Sequence, residues 1–538
     1  MNDFYQKVSD VLAKIVKDEY DIDLALPFWE LPPKQEYGDL SSMVTLKLAA
    51  KVKKYPLDIA AKIKTLLEKR LKGEVDKIDI LKPGFINLFI SKDTLINSLN
   101  TLLKEKDVFF RQKLKKKVIL EFVSANPTGP LSIPHGRQAI VGDVIGNILE
   151  FLGNDVEREY YLNDEGRQID LLVESVEAWL NTPEGSNVLI PEGGYNGGYV
   201  KDIADEISAN KEWVKNKETF DLRGEILNYT ISLIKKDLES LGVEFSNWFS
   251  QRKLIKDKKV EAAISYLQKK GLIYEEEGAL WFASTKFGDD KDRVIKKKDG
   301  ELTYFASDIA YHKDKIDRGA NQLINLWGPD HHGYIERVKS SIKAQGLSAD
   351  ILKIVIIQLV NIKTKERMSR RKGTAVLLSD LVNDVGKDAA RFYYLVRKNS
   401  SHLEFDLDLA KEASFNNPLY YIQYACARIE SIFTKAAVCD RYNTKYSKFL
   451  KEDEEMGLLR VLLQFSYCLD SAYHSLEPVF IIEYLKNLAA VLHKFYEKRR
   501  VLVDDENVTG ARLNLLESTK IVIHCGLRLL GIEPVKKM

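Results

Sequence analysis

The sequence has little cysteine, almost no excess charge and no long uncharged hydrophobic run. Its 538 residues include four cysteines, none in a C-x-x-C pair or beside clustered histidines, so we expect no structural metal held by the protein. Few, scattered cysteines fit a reducing compartment. The 81 Lys and Arg residues nearly balance 79 Asp and Glu, for a net charge of +2. Any binding of nucleic acid must therefore depend on local patches.

Signals for membranes and secretion are also missing. No uncharged apolar run approaches the ~20 residues that span a bilayer. The first twenty residues are amphipathic, carry acidic side chains and lack the apolar core of a signal peptide. We therefore expect a cytoplasmic protein with no membrane partner. At roughly 100–200 residues per domain, the length suggests about three or four domains.

What is present divides the chain into three parts. Residues 1–105 mix helical spacing with two β-rich runs, which predicts a small α+β domain. Residues 106–409 alternate strand and helix patterns, which predicts an α/β domain with a Rossmann-type parallel sheet. Helices and a Gly-rich surface turn, "PEGGYNGGYV", interrupt this alternation at about 164–300. Residues 410–538 consist of long amphipathic segments and predict an all-α helix bundle.

One stretch, "VILEFVSANPTGPLSIPHG", has the pattern of an anion-binding helix start. Parallel sheets bind ligands beyond the carboxyl ends of their strands, where helix amino termini point. Pro134 suits the first helical position, and the N–H groups that follow would face a phosphate. His135 could add a further donor. The local pattern also fits a proline-started helix with a half-exposed histidine and no ligand.

A second feature is the basic segment, residues 363–373 of "KTKERMSRRKGTAVLL", which includes Lys363, Lys365, Arg367 and Arg371. Charge runs usually form solvated faces. This one follows the apolar run "ILKIVIIQLV", which we predict as a strand of the same sheet, so it could clamp a triphosphate. Two anion-binding elements on one sheet favour a nucleotide as the ligand.

These segments resemble those of arginyl-tRNA synthetases, a family of class I aminoacyl-tRNA synthetases. The first is similar to the lead-in to the family's H-x-G-H signature, and "RMSRRKGT" is similar to its K-M-S-K-S loop. "REYYLNDEGRQI", "GDDKDRVI", "TYFASDIAYHKDK" and "GPDHHGYIERVK" resemble family segments in family order. The resemblance also covers an amino-terminal tRNA-contacting domain and a carboxy-terminal anticodon-binding domain.

The resemblance implies an activity and its partners. Such an enzyme activates L-arginine with ATP and Mg²⁺, transfers it to tRNA(Arg), and needs bound tRNA for the activation step. We expect a monomer. The arginine ligands implied by position are Glu121, Asn126, Tyr304, Asp308 and Asp330, and the residues near adenosine are His331 and His332. The residues implied for ATP and catalysis are Ser132, Pro134, His135, Gly136, Met368, Ser369, Arg370 and Lys372.

Ordinary structural roles remain open for several of these residues. Tyr304 could be a core side chain and Asp308 a helix cap. Two adjacent histidines could suggest a metal, although neighbours in sequence usually point apart and no third ligand is evident. The chemistry of the implied pocket is nevertheless consistent, because a planar guanidinium favours carboxylate partners.

The signature departs from the family pattern, since it has Ser132 in place of the first histidine and Pro134 in place of the glycine. Losing one charged donor in a dry site costs about 2.7–4 kcal/mol of transition-state stabilisation, unless Arg137 or the basic segment compensates. The departure raises the alternative of an RNA-binding protein with a decayed nucleotide site. A ligase with a small-molecule acceptor is a third reading, although the two outer domains argue against it.

Overall fold

The computed structural model describes residues 4–23, 28–183, 185–363, 376–436 and 443–538. These residues form two compact units. One is Leu114–Lys411, and the other joins Met1–Lys113 with Glu412–Met538. The domain limits at residues 105 and 409 stay predictions.

The amino-terminal part of the chain packs helices against a small antiparallel sheet. As expected from its sequence, one helix begins at Pro56, where the missing N–H of proline has no cost. The helices are α1 (Phe4–Tyr20), α2 (Val44–Val52), α3 (Pro56–Arg70) and α4 (Lys92–Glu105). The strands are β1 (Leu40–Ser42), β2 (Val75–Leu81) and β3 (Phe85–Ile90), and β3 lies between the other two.

The unit formed by Leu114–Lys411 alternates strands and helices, as predicted. Its strands are β4 (Lys117–Glu121), β5 (Asp155–Leu162), β6 (Asn247–Ser250), β7 (Ile273–Glu276), β8 (Ala279–Phe282), β9 (Arg293–Lys296), β10 (Gln322–Trp327), β11 (Leu352–Ile356), β12 (Val360–Lys363) and β13 (Leu403–Asp406). Its helices are α5 (Ile133–Phe151), α6 (Arg167–Asn181), α7 (Gly198–Ala209), α8 (Lys211–Lys215), α9 (Leu222–Ser240), α10 (Gln251–Lys256), α11 (Lys259–Lys269), α12 (Tyr304–Asp317), α13 (Ile335–Ala344), α14 (Leu378–Val385), α15 (Lys387–Tyr394) and α16 (Leu407–Lys411).

A parallel sheet forms the centre of this unit and confirms the predicted fold class. Over the described residues it has five strands in the order β11-β10-β4-β5-β6. The register aligns Asn325 with Glu121, Glu121 with Glu159 and Glu159 with Asn247. Side chains at one level of a sheet point to the same face, so these four residues form a polar row across the sheet.

The run "ILKIVIIQLV" does not form one strand, and the prediction that the basic segment follows a strand of the main sheet is wrong. After β11 the chain leaves the sheet, because the N–H of Gln358 donates to Asn399 O at 2.9 Å and its carbonyl accepts from Arg137 Nη1 at 2.8 Å. The strand that precedes the basic segment is β12, which pairs with β13 instead. The mainly apolar run has no glycine or proline to mark the break, and its polar residue at that point is Gln358.

Helix α5 lies against the main sheet at a distance that requires glycine. A Cβ built on Gly142 would lie 2.3 Å from ring atoms of Phe122, the residue after β4. The side chain of Phe122 cannot move out of the way, because its ring is fully buried. This close contact holds the middle of α5 against the chain that follows β4.

The carboxy-terminal part is helical throughout its described residues, which confirms the predicted bundle. It packs on the amino-terminal part of its own unit, where Arg460 Nε lies 2.9 Å from the buried Asp39 Oδ1. Among the described residues, no helix has the length and apolar character needed to cross a membrane. The helices are α17 (Pro418–Lys435), α18 (Asp453–Leu463), α19 (Phe465–Ser475), α20 (Val479–Lys498) and α21 (Glu506–Leu529).

Candidate active site

The start of α5 is capped by its own signature residues. Ser132 is the N-cap, and His135 Nδ1 lies 3.2 Å from the Ser132 N–H and 3.1 Å from its hydroxyl oxygen. A backbone N–H can only donate, so Nδ1 accepts and the proton of the neutral ring lies on Nε2. Burial lowers the pKa of His135, so at neutral pH the ring presents an Nε2–H donor. Capping and donation are therefore compatible roles for this histidine.

Pro134 is the second residue of α5, after Ile133, and not the first as predicted. Proline at the second helical position breaks no hydrogen bond, because the first four N–H groups of a helix lack an intrahelical partner. Pro134 is exposed, so its ring fills no interior space. Gly136 is buried, and a Cβ there would lie 2.5 Å from Leu378 Cδ1 and 2.8 Å from the Tyr394 hydroxyl.

The chain returns to the start of α5 immediately after the basic segment. Leu378 N donates to Leu131 O at 2.9 Å, and Leu377 forms a bridge with Ser132. The predicted nucleotide residues of the segment itself, Met368, Ser369, Arg370 and Lys372, lie outside the described residues. The chain that follows the segment is held at Leu377 and Leu378 beside Ser132 and Leu131.

Arg137 does not supply a cation to the signature, and that suggestion is wrong. Its guanidinium is fully buried and donates to the carbonyls of Gln358, Lys398 and Ser401 at 2.7–2.9 Å. These contacts join α5 to the segments that lead into β12 and β13. Arg137 therefore serves packing, and its position next to the signature in sequence is misleading.

Beneath α12, the polar row holds a buried cation. Lys315 Nζ lies 2.5 Å from Glu121 Oε2, 3.2 Å from Asn325 Oδ1 and 3.8 Å from Glu159 Oε1. Burial alone would raise the pKa of Glu121, but the charge and hydrogen bond of Lys315 outweigh it and hold that pKa below its ordinary value. Glu121 is therefore an ionised carboxylate inside the protein.

Asp308 and Tyr304 both lie on α12. Asp308 does not cap the helix, and Tyr304 is not a core residue. Asp308 is the fifth helical residue, and its Oδ2 accepts from the Tyr334 hydroxyl at 2.6 Å. Burial and the neighbouring charge of Glu121 raise the pKa of Asp308 to about 7. Tyr304 begins the helix and is 64% exposed. A carboxylate with such a raised pKa is a place where a bound cation would be stabilised.

Asn126 lies in a loop that other elements hold in place. Its Oδ1 accepts from Asn163 Nδ2 at 3.0 Å. The hydroxyl of Tyr160 donates to Ala125 O at 2.9 Å, and that of Tyr199 donates to Thr128 O at 2.7 Å. Tyr199 comes from the Gly-rich stretch predicted as a plain surface turn, so that stretch also supports the site loop.

Asp330, His331 and His332 follow β10 at its carboxyl end, as predicted, and all three are exposed. His331 Nε2 lies 3.4 Å from Asp330 Oδ2. In the part of the chain that the structure describes, no group of three or more His, Cys, Asp or Glu side chains is arranged to hold a metal ion.

Sequence reasoning missed three residues of the site, Lys315, His312 and Asn325. His312 Nδ1 donates to Asp308 O at 2.9 Å, and its Nε2 accepts from Asn325 Nδ2 at 3.2 Å. Burial lowers the pKa of His312 to about 4, so the ring is neutral. Two signals were available: the spacing of 308, 312 and 315 on one helix face, and a polar Asn inside the apolar strand "QLINLW".

Comparison with known proteins covers almost the whole chain. Family models described as arginyl tRNA synthetase N terminal domain, class I (R) tRNA synthetase catalytic domain and DALR anticodon binding domain match residues 2–90, 98–406 and 422–538. An arginine–tRNA ligase of Thermotoga petrophila is 39% identical over 555 residues and covers 100% of both chains. One of Bacillus licheniformis is 41% identical over 554 residues, covering 99% of each. The fold also matches Thermus thermophilus arginyl-tRNA synthetase, with a TM-score of 0.80 at 19% identity over 99% of this chain and 100% of that one.

Proposed function

The chain belongs to the arginyl-tRNA synthetase family, and we propose that it joins L-arginine to the 3′ end of tRNA(Arg) with ATP. The observation that carries this proposal is the pair of carboxylates at α12. Glu121 is ionised inside the protein, and Asp308 has a pKa near 7 that a bound cation would lower. A buried pair of this kind suits a guanidinium, whose planar N–H groups donate paired hydrogen bonds to carboxylate oxygens.

The reaction runs in two steps. First, the arginine carboxylate attacks the α-phosphorus of ATP, the bond to pyrophosphate breaks, and arginyl-adenylate forms. A ribose hydroxyl of the tRNA terminus then attacks the arginyl carbonyl, loses its proton and displaces AMP. Such chemistry needs positioning and charge stabilisation from the protein and no covalent intermediate with it.

For arginine, we assign the guanidinium to Asp308 and Glu121, and further contacts to Asn126, Tyr304 and Asp330. Asp308 is the primary partner, because Oε2 of Glu121 is already held by Lys315. A site built to pair with a cation rejects neutral analogues strongly, since its carboxylates would be left buried and unpaired. The Tyr334 hydroxyl on Asp308 keeps one carboxylate oxygen in a fixed position.

For ATP, we assign the phosphates to the start of α5 and to the basic segment. The Nε2–H of His135 and the first N–H groups of α5 are donors suited to developing negative charge. Met368, Ser369, Arg370 and Lys372 are the proposed partners from the basic segment. Pro134 and Gly136 are proposed to lie near adenine, and His331 and His332 near the ribose. Mg²⁺ accompanies ATP through phosphate oxygens and water and needs no all-protein cage.

Exchange of labelled pyrophosphate into ATP tests the proposal. We expect exchange that requires arginine, together with charging of tRNA(Arg); we also propose that activation needs bound tRNA, so exchange without tRNA should be at background. Folded protein that binds tRNA(Arg) without exchange or charging would instead be the RNA-binding protein with a decayed site. Activity without tRNA binding in a filter assay would favour a small-molecule acceptor. Sedimentation and cell fractionation test the proposed monomer and cytoplasmic location.

A further inference from the structure

We infer that Lys315 is a positioning residue for arginine, because its buried ammonium fixes the carboxylate of Glu121 in the orientation and charge state that the guanidinium needs. This inference rests on the proposed function. Lys315 is fully buried in the described structure, and lysine is almost never found so without a charged partner. Its Nζ lies 2.5 Å from Glu121 Oε2.

The charges around the polar row assign Lys315 to Glu121 and not to Glu159. Glu159 Oε2 has its own cation, Arg318, at 2.6 Å. Glu159 also accepts from the Tyr311 hydroxyl at Oε1, over 2.7 Å, and from Asn247 Nδ2 at Oε2, over 2.6 Å. Lys315 Nζ is 3.8 Å from Glu159 Oε1. Glu121 otherwise accepts at 3.2 Å from the neutral hydroxyl of Ser124, so Lys315 supplies its neutralising charge.

A chain of hydrogen bonds extends this arrangement to the backbone of Asp308, the residue that carries the second carboxylate. Lys315 donates to Asn325 Oδ1 at 3.2 Å, and the amide nitrogen of Asn325 donates to His312. His312 in turn donates to the backbone carbonyl of Asp308. The direction of every bond in this chain is fixed, because the ammonium at one end can only donate and the backbone carbonyl at the other can only accept. The geometry beneath α12 is therefore set before any substrate arrives.

A stability role alone does not account for this lysine. A buried ion pair is commonly no better for stability than well-packed apolar residues of similar volume. The same pair has a clear use beside a cationic substrate, since it keeps one carboxylate charged. Without Lys315, the buried carboxylate of Glu121 would lose its neutralising cation, so burial would raise its pKa and it would take up a proton. Several titratable or charged groups surround the Lys315–Glu121 pair. They are Glu159 and Tyr161 on β5, Asp308, Tyr311 and His312 on α12, and Tyr334 and Arg337 beyond Asp308.

The first test compares Lys315→Met with Lys313→Met, which removes an exposed lysine of the same helix paired with Asp317. Arginine affinity is measured by calorimetry and as KM in charging. We expect Lys315→Met to weaken arginine by about 10²-fold, with KM for ATP changed less than threefold and Lys313→Met close to wild type. The arginine Kd of Lys315→Met should also gain a steeper pH dependence and improve as pH rises, because Glu121 must then lose a proton to bind. Unchanged arginine affinity in folded Lys315→Met would overturn the inference.

The second test is a double-mutant cycle with Glu121→Gln. If Lys315 acts through Glu121, adding Lys315→Met to Glu121→Gln should change the arginine Kd less than threefold. A further tenfold loss in the double variant would overturn the inference. The double variant removes both partners together, which proteins tolerate better than losing one, so this comparison holds even if Lys315→Met alone fails to fold. Charging by the wild-type protein tests the proposed function separately, since the binding ratios do not depend on catalysis.

Discussion

The two ends of the candidate site are built in opposite ways. At the start of α5, Ser132 and His135 lie three residues apart and bond to each other. Beneath α12, Glu121 and Lys315 are 194 residues apart in sequence and meet only because β4 lies beside β10 and under the helix. The first end is a local structure at the protein surface, and the second is a buried network fixed by the whole sheet.

That difference predicts where substitutions act. Ser132 and His135 at the capped helix start satisfy each other's polar groups, so Ser132 and the exposed Pro134 can change with modest effects on the rest of the protein. The charged groups near α12 depend on one another, because Lys315 lowers the pKa of Glu121 and the charge of Glu121 helps to raise the pKa of Asp308. Changes at that end should therefore affect arginine binding strongly and nonadditively.

The largest effect is expected from Asp308→Asn. Replacing the proposed guanidinium partner with a neutral amide should raise KM for arginine by about 10²–10³-fold, because one partner of a buried charge pair is removed. The matched control is Asp317→Asn at the exposed end of the same helix, which should stay within about twofold. Charging kinetics at saturating ATP and tRNA give both numbers.

Thermal unfolding of the same variant separates binding from folding. Because the folded-state pKa of Asp308 is raised to about 7, ionisation of this carboxylate lowers stability progressively as pH rises from about 4 to 7. At pH 8 Asp308→Asn should therefore have a Tm equal to or above that of the wild type. A lower Tm together with the raised KM would indicate misfolding and would contradict the assignment.

A free-energy change of similar size is expected from Arg137→Met in α5, at the other end of the site. Here the affected quantity is the stability of the protein and not arginine binding. The substitution removes three hydrogen bonds that the buried guanidinium donates to backbone carbonyls, and each such bond contributes about 0.5–1.5 kcal/mol. We expect the free energy of unfolding to fall by about 3 kcal/mol in urea titration. Arg397→Met removes an exposed arginine and should change it by less than about 0.5 kcal/mol. If Arg137→Met kept its stability but lost ATP affinity, the residue would belong to the nucleotide site after all.

A smaller effect should appear in the pH dependence of arginine binding. The guanidinium binds the ionised form of Asp308, whose pKa is about 7 in the empty site. The arginine Kd should be nearly constant above pH 8 and about tenfold weaker at pH 6, where most Asp308 is protonated. Calorimetry without ATP avoids titration of the phosphates. Asp308→Asn should lose this dependence, and a wild-type Kd that is flat from pH 6 to 8 would contradict the assignment.

The same contrast explains what the sequence could predict. Alternating apolar runs predicted the parallel sheet, because each strand carries its own signal, and the family resemblance supplied Glu121 and Asp308. The partnership of Glu121 with Lys315 could not be predicted, since it depends on the register between strands far apart in sequence. Arg137 was misjudged for the related reason that proximity in sequence does not give the direction of a side chain.

The smallest effect is expected at the signature itself, from converting Ser132 to His and Pro134 to Gly together. Ser132 already caps α5 and contacts His135, so the double substitution removes a helix cap worth about 1 kcal/mol. The new histidine would add a hydrogen-bond donor, but His135 already offers its Nε2–H at the same place. Pro134 is exposed and fills no interior volume. We therefore expect kcat for charging to change less than about tenfold, with Ser132→Ala as the control that removes the hydroxyl alone. A rise from background to measurable charging would mean that the natural signature is a decayed one, and the two ends of the site would then differ in function as well as in construction.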